Sequence, residues 1–206
     1  LREVLGPRHS DTLATMSNLA FTLRALGKHA EAETMFREAL AAEREVLGPC
    51  HPDTLTRMGD LASTLRELGK HAEAEAMLQE ALAAQREVLG PRHPDTLTLM
   101  TYLARTLGEL GKLAEAEAMF REVLAARREV LGPRHLDTLR TMYNLASTLW
   151  ELGKHAEAEA MQREVLAARR EVLGARHPRT LTTMGNLAST LHAQDKHAEA
   201  DAMERE

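Results

Sequence analysis

The chain is poor in several residue types that small folds lean on. In 206 residues it carries one cysteine, Cys50, and only six aromatic side chains: three Phe, two Tyr and one Trp. A lone cysteine excludes an internal disulfide and fits a reducing compartment, so a cytoplasmic location is expected. No apolar run approaches the roughly 20 residues of a membrane span, and no membrane partner is expected. Charge is not blocked: 26 basic and 31 acidic residues are interspersed and sum to −5. A nucleic-acid footprint needs clustered Lys and Arg with positive net charge, so no nucleic-acid partner is expected either.

Recognisable catalytic arrangements are missing too. Nine of the ten histidines fall at two recurring positions: His9, His51, His93, His135 and His177, and then His29, His71, His155 and His197. Their spacing does not suit a metal site, and helix-start and packing roles are expected instead. Gly27-Lys28 and Gly69-Lys70 lack the upstream glycine and following Ser or Thr of a phosphate loop. Paired acids such as Glu73 and Glu75 are two apart, hence on different faces of a helix. No nucleophile, base and orienting group recur together. The reading is no enzyme, no catalytic residue, no metal and no cofactor.

What the chain has is a repeat. The stretch His93–Arg134 is the unit, and near-copies run from end to end. Its landmark Leu-Gly recurs at Leu5, Leu47, Leu89, Leu131 and Leu173, each 42 positions after the last. A fixed period of this size means units that cannot bury their apolar face alone and must stack. Within the unit, His93-Pro94-Asp95-Thr96 reads as a helix start, with proline where no donor is needed and an acid at the positive end of the dipole. Leu97, Met100, Leu103, Ala104, Leu107 and Leu110 then form one face of an amphipathic helix A. Gly111-Lys112 ends it. Helix B runs from about Leu113 to Leu131, with Ala116, Phe120, Val123 and Leu124 inward. In the second copy the helices are predicted over about 52–68 and 71–89.

Leu103-Ala104, Leu107, Gly111, Ala116, Phe120 and Val123 together resemble the tetratricopeptide repeat. The 42-residue period and the Leu-Gly-x-x-His-Pro-Asp-Thr linker resemble the kinesin light chain subgroup of that family. The resemblance implies an all-α fold, a right-handed α-solenoid of antiparallel helix-turn-helix repeats. One continuous array over 1–206 is expected. It comprises about five repeats, with the first and last truncated and linkers near 6–10, 48–52, 90–94, 132–136 and 174–178. Leu1 to Leu5 matches the end of a helix B, and Ala202 to Glu206 stops within one, so a piece of a longer array is expected. Gln194-Asp195 stands where the other copies have Leu-Gly, and Gln194 is expected to remove a buried leucine.

Five copies provide an internal comparison. Along helix A the Thr12-Leu13 pair, Met16, Leu19, Ala20, Thr22 and Leu23 never change. The positions represented by Ala14, Ser17, Asn18, Phe21 and Arg24 change freely, and steps of three and four place them on one face. A face that diverges on a constant scaffold reads as free of packing duty. Four of the six aromatics (Phe21, Tyr102, Tyr143 and Trp150) lie on this stripe, and exposed aromatics and arginines anchor partners. In the family, helix A lines the concave groove, and the Asn18 position resembles an asparagine that holds a bound peptide backbone. Asn144 and Asn186 keep it; Asp60 and Tyr102 replace it.

The expected groove residues are therefore Asn18, Phe21, Arg24, Asp60, Arg66, Tyr102, Arg105, Arg140, Tyr143, Asn144, Trp150 and Asn186. Tyr102, Arg105, Arg140, Tyr143 and Trp150 are expected to converge on one patch suited to an acidic peptide with an apolar anchor. Glu109 and Glu151 flank the stripe and compete for those arginines. The leading function is a non-catalytic adaptor that binds a protein or peptide in its groove. The alternatives are a structural array that self-associates end to end, and a regulatory sensor region attached to a signalling ATPase.

Overall fold

A computed structural model describes Gly6 and residues 8–205, without the side chain of Glu204. Among the described residues there are ten α-helices and no strands. The chain divides into two compact units, Leu1–Leu110 and Gly111–Glu206. The first holds α1 (Ser10–Ala25), α2 (His29–Val46), α3 (Pro52–Glu67), α4 (His71–Leu89) and α5 (Pro94–Glu109). The second holds α6 (Leu113–Val130), α7 (Leu136–Glu151), α8 (His155–Leu173), α9 (Pro178–His192) and α10 (His197–Glu204). The helix spans read from the second copy agree with α3 and α4 to within a residue. The helix-B ending expected at Leu1 to Leu5 lies outside the described residues. Each unit is built as a helical-repeat solenoid is, each helix packing on the next.

Local chemistry sets the helix ends. Every linker histidine is an N-cap: Nδ1 of His51 accepts from Asp53 N at 3.2 Å, and His9, His93, His135 and His177 repeat the bond. A ring nitrogen thus does what a Ser or Asp oxygen usually does at this position. The never-changing threonine then ties each linker down. Thr54 Oγ1 donates to Gly48 O at 2.9 Å, and Thr12, Thr96, Thr138 and Thr180 bond their own linker glycines in the same way. Each bond contributes about 0.5–1.5 kcal/mol net. At the hairpin turn Gly69 takes φ 76°, which lets Lys70 N reach Leu65 O at 2.9 Å and close the helix end. The fifth copy makes the same turn with Asp195 at φ 59°, a strained choice that a short polar side chain tolerates.

The core follows the constant positions. Leu55, Met58, Leu61, Ala62 and Leu65 of α3 are buried, with Ala74, Leu78, Ala81 and Leu82 of α4. In the second unit Leu139, Met142, Leu145, Ala146 and Leu149 meet Ala158, Val165 and Leu166.

Two expectations need correction. Gln194 does not remove a buried leucine: its counterpart Leu26 is 68% exposed, and Leu68, Leu110 and Leu152 are only half-buried. These leucines are C-caps, at the solvent end of the hairpin, and Gln194 instead donates from Nε2 to His155 O at 3.1 Å. Nor is the whole variable face free of packing duty. Ser17, Gly59 and Thr101 are buried, and beside Gly59 one edge of α3 packs on α5. A Cβ on Gly59 would lie 2.6 Å from Leu99 Cδ2, so any larger residue there would make the Leu99 side chain turn aside.

Candidate functional site

In the first unit the stripe is mostly engaged with the protein itself. Asn18 is exposed. Phe21 is 36% exposed and meets the buried Phe36 edge-on at 5.2 Å between centroids. The Arg24 guanidinium lies 5.2 Å from the Phe21 centroid and 4.0 Å from Glu67. Arg66 pairs with Glu109 at 2.5 Å, and His71 Nδ1 lies 3.2 Å from the same carboxylate. Tyr102 and Arg105 are half-buried.

Asp60 is 8% exposed, and its carboxylate is held by Arg57 at 3.0 Å. Arg57 also reaches Glu43 on α2 at 3.3 Å. Burial raises the Asp60 pKa to about 6, against the opposing pull of Arg57. A carboxyl whose folded pKa is raised binds its proton more tightly in the native state, so its ionisation opposes folding. The stabilisation is fully present below the ordinary aspartate pKa and is lost as pH rises through about 6. The swing is on the order of 3 kcal/mol. Asp60→Asn, the residue found at this place in three other copies, keeps the Arg57–Glu43 pair. The variant is expected to be more stable than the parent at neutral pH by about 1–3 kcal/mol, with the gap closing near pH 4. Urea denaturation across pH measures this, and a pH-independent difference would rule out a buried ionising Asp60.

The second unit carries the more open half. Arg140 is exposed and pairs with Asp137 at 3.0 Å, a contact i,i+3 on its own helix. Tyr143 is half-buried: the Arg169 guanidinium lies 4.9 Å from its ring centroid, and its hydroxyl accepts from Asn186 Nδ2 at 3.0 Å. Asn144 is half-buried as well. Trp150 is 42% exposed and rests edge-on against His155 at 6.0 Å. Beside it a cavity of about 270 Å³ opens between α7, α8 and α9, lined by Ser147, Trp150, Glu151, Gln162, Asn186 and two hydroxyl residues of α9. Of the expected patch, then, Trp150 shares a cavity with Asn186, Asn186 bonds Tyr143, and Arg140 is committed to Asp137.

Comparing only helix A misses two series on helix B. Glu43, Gln85, Arg127 and Arg169 occupy one recurring position and are all buried. Each faces the next helix A, where Arg57, Thr141 and Thr183 stand at a matching place: Arg127 donates to Thr141 Oγ1 at 2.7 Å and Arg169 to Thr183 Oγ1 at 2.6 Å. The second series is Phe36, Leu78, Phe120 and Gln162, a core position that turns polar in the fourth copy. The same copy-to-copy reading, applied to helix B, would have found both.

Outward on helix B runs a ladder of ion pairs. Arg121 pairs with Glu117 at 2.9 Å and Glu157 at 2.7 Å, and Lys154 with Glu117 at 2.8 Å; Arg37, Glu33, Glu73 and Lys70 repeat the pattern. Hydrogen bonds from Lys70, Lys154 and Lys196 hold the carboxyls of Glu33, Glu117 and Glu159 below their ordinary range. Most of these groups are substantially exposed, so each pair adds little to stability. No described helix is long and apolar enough to cross a membrane.

The tetratricopeptide repeat profile matches residues 1–45, 11–87, 59–129, 107–171 and 137–206. No curated protein matches the chain in sequence. Among solved structures, nearly identical TPR-like repeats assigned to kinesin light chain in Podosopora anserina are 26% identical. Their TM-score is 0.81, and the match covers 96% of this chain and 93% of that one. BtubC (BKLC) from P. vanneervenii is 22% identical with a TM-score of 0.80, covering 94% and 77%. A Rap protein complexed with Competence and Sporulation Factor is 13% identical with a TM-score of 0.73, covering 97% and 58%. The last two share the fold alone. With the profile matching along its length and the 42-residue hairpins on the page, the chain belongs to the tetratricopeptide repeat family, as an array of the kinesin light chain-like kind.

Proposed function

We propose that the chain is a non-catalytic binding module that holds an extended peptide along the helix-A face. The observation that carries this reading is Trp150, an indole left 42% exposed beside an open cavity in a chain with no other tryptophan. Indoles anchor partners because they bury a large area at low entropic cost. Asn18, Asn144 and Asn186 supply amides, which offer donor and acceptor together to a peptide backbone. A Rap protein of the same fold bound to Competence and Sporulation Factor supports a ligand-binding role. An acidic ligand is less well provided for than the sequence suggested, since Arg24, Arg66 and Arg140 already face Glu67, Glu109 and Asp137. The test is a screen of immobilised peptides, followed by calorimetry with the best binder. Trp150→Ala is expected to weaken it by about 1–2 kcal/mol without unfolding the array. Unchanged affinity in Trp150→Ala and Asn186→Ala would move the site elsewhere.

A further inference from the structure

In the first three copies one helix-B position fills the hairpin with Phe36, Leu78 and Phe120. The fourth copy puts Gln162 there. It is 3% exposed, and its Oε1 is buried without a hydrogen-bond partner. Among the described residues the side-chain oxygens buried without a partner belong to Glu43, Gln85 and Gln162, and leaving one unmet costs about 1–3 kcal/mol. Gln162 lines the cavity beside Trp150.

The hydroxyl groups that line it have already given their protons away. Ser147 Oγ donates to Tyr143 O at 3.2 Å, Ser189 Oγ to Gly185 O at 3.0 Å and Thr190 Oγ1 to Asn186 O at 2.9 Å. Asn186 Nδ2 donates to the Tyr143 hydroxyl. What these hydroxyls and Gln162 Oε1 still offer is lone pairs. Arg169, stacked on Tyr143, turns its donors to Arg179 O and Thr183 Oγ1 and does not line the cavity.

Glu151 adds the charge. Its counterparts are held: Glu67 lies beside Arg24 and His29, and Glu109 beside Arg66 and His71. Glu151 is exposed, lines the cavity and forms no ion pair among the described residues. The site therefore combines an unmet carboxamide oxygen, hydroxyl lone pairs, one carboxylate and an indole. The matching ligand group is cationic, planar and donor-only, which describes a guanidinium. An ammonium lacks the plane that stacks on an indole.

We propose that this cavity is a subsite for an arginine side chain of a partner peptide, its guanidinium seated between the Trp150 indole, the Gln162 carboxamide oxygen and the Glu151 carboxylate. The proposal rests on the peptide-binding reading for its helix face, and goes beyond it in naming the side chain. Because Trp150 is the sole tryptophan, fluorescence excited selectively at the indole reports on the surroundings of this one residue. Acetyl-Gly-Arg-Gly-amide titrated into the full chain is expected to give a saturable change. The neutral isostere with citrulline for arginine is expected to bind about tenfold more weakly, and Glu151→Gln to reduce arginine binding by a similar factor. Gln162→Leu is expected to abolish the response while circular dichroism stays unchanged, because Leu78 already fills this place two hairpins earlier. No saturable change with the arginine peptide, equal binding of the citrulline peptide, or an unaltered curve in folded Gln162→Leu each overturns the proposal. If screened peptides bind irrespective of arginine, the subsite fails and the groove reading stands. If no screened peptide binds but the arginine tripeptide does, the groove reading fails and the subsite stands.

Discussion

Arg57→Met is expected to destabilise the first unit by about 3–5 kcal/mol at neutral pH, the usual cost of removing one member of a buried ionic group. Arg57 is the common partner of two buried carboxylates, Glu43 at 3.3 Å and Asp60 at 3.0 Å. Methionine keeps much of the apolar stem but neither the charge nor the guanidinium that lies 5.8 Å from the Phe36 centroid. Glu43 Oε2 is already buried without a partner, so nothing in place can replace the guanidinium. Burial raises the pKa of both carboxyls in the parent. Without Arg57 that shift grows, and the native state takes up protons where the unfolded chain does not. Stability of the variant should therefore recover as pH falls from neutral to about 5. Hydrogen exchange of α3 amides at the two pH values measures this locally, which suits a repeat array, where each hairpin contacts only its neighbours and can open on its own. A variant as stable as the parent at neutral pH would show that the triad is solvated and not structural.

Leu65→Ala should cost about 2–5 kcal/mol, as large-to-small changes at fully buried sites do. Leu65 is completely buried, and its backbone carbonyl receives the Lys70 amide that closes the turn. Ser63, two residues away on the variable stripe, is half-buried. Ser63→Ala should change stability by less than about 0.5 kcal/mol. Denaturation of the two variants under one set of conditions compares them directly. Equal shifts in midpoint would mean that helix A does not divide into a core face and a groove face.

Much of the fold was legible because its determinants are local and recur. The helix ends at 52, 67, 71 and 89 follow from a capping histidine, a proline and a glycine, each acting within a few residues. The constancy of Thr54 has an equally local cause in its bond to Gly48 O. The candidate site was harder to read. Asn18, Phe21 and Trp150 were placed on an exposed face and are there, but Asp60 shares their spacing and is buried under Arg57. Spacing along one helix cannot tell these apart, since a face is exposed or covered according to what packs on it.

The sequence by itself determined the 42-residue period, the hairpins, their caps and the residues that fill them, because copies of one unit must bury the same stripe in each. Only the tertiary structure decided which variable side chains are spent inside the protein. Glu109 meets Arg66 across 43 residues, Leu99 closes over Gly59 across 40, and Gln162 shares a cavity with Asn186 of the following hairpin. Those meetings depend on how far one helix A lies from the next. That separation is set by the side-chain volumes at the junction, and no local pattern encodes it.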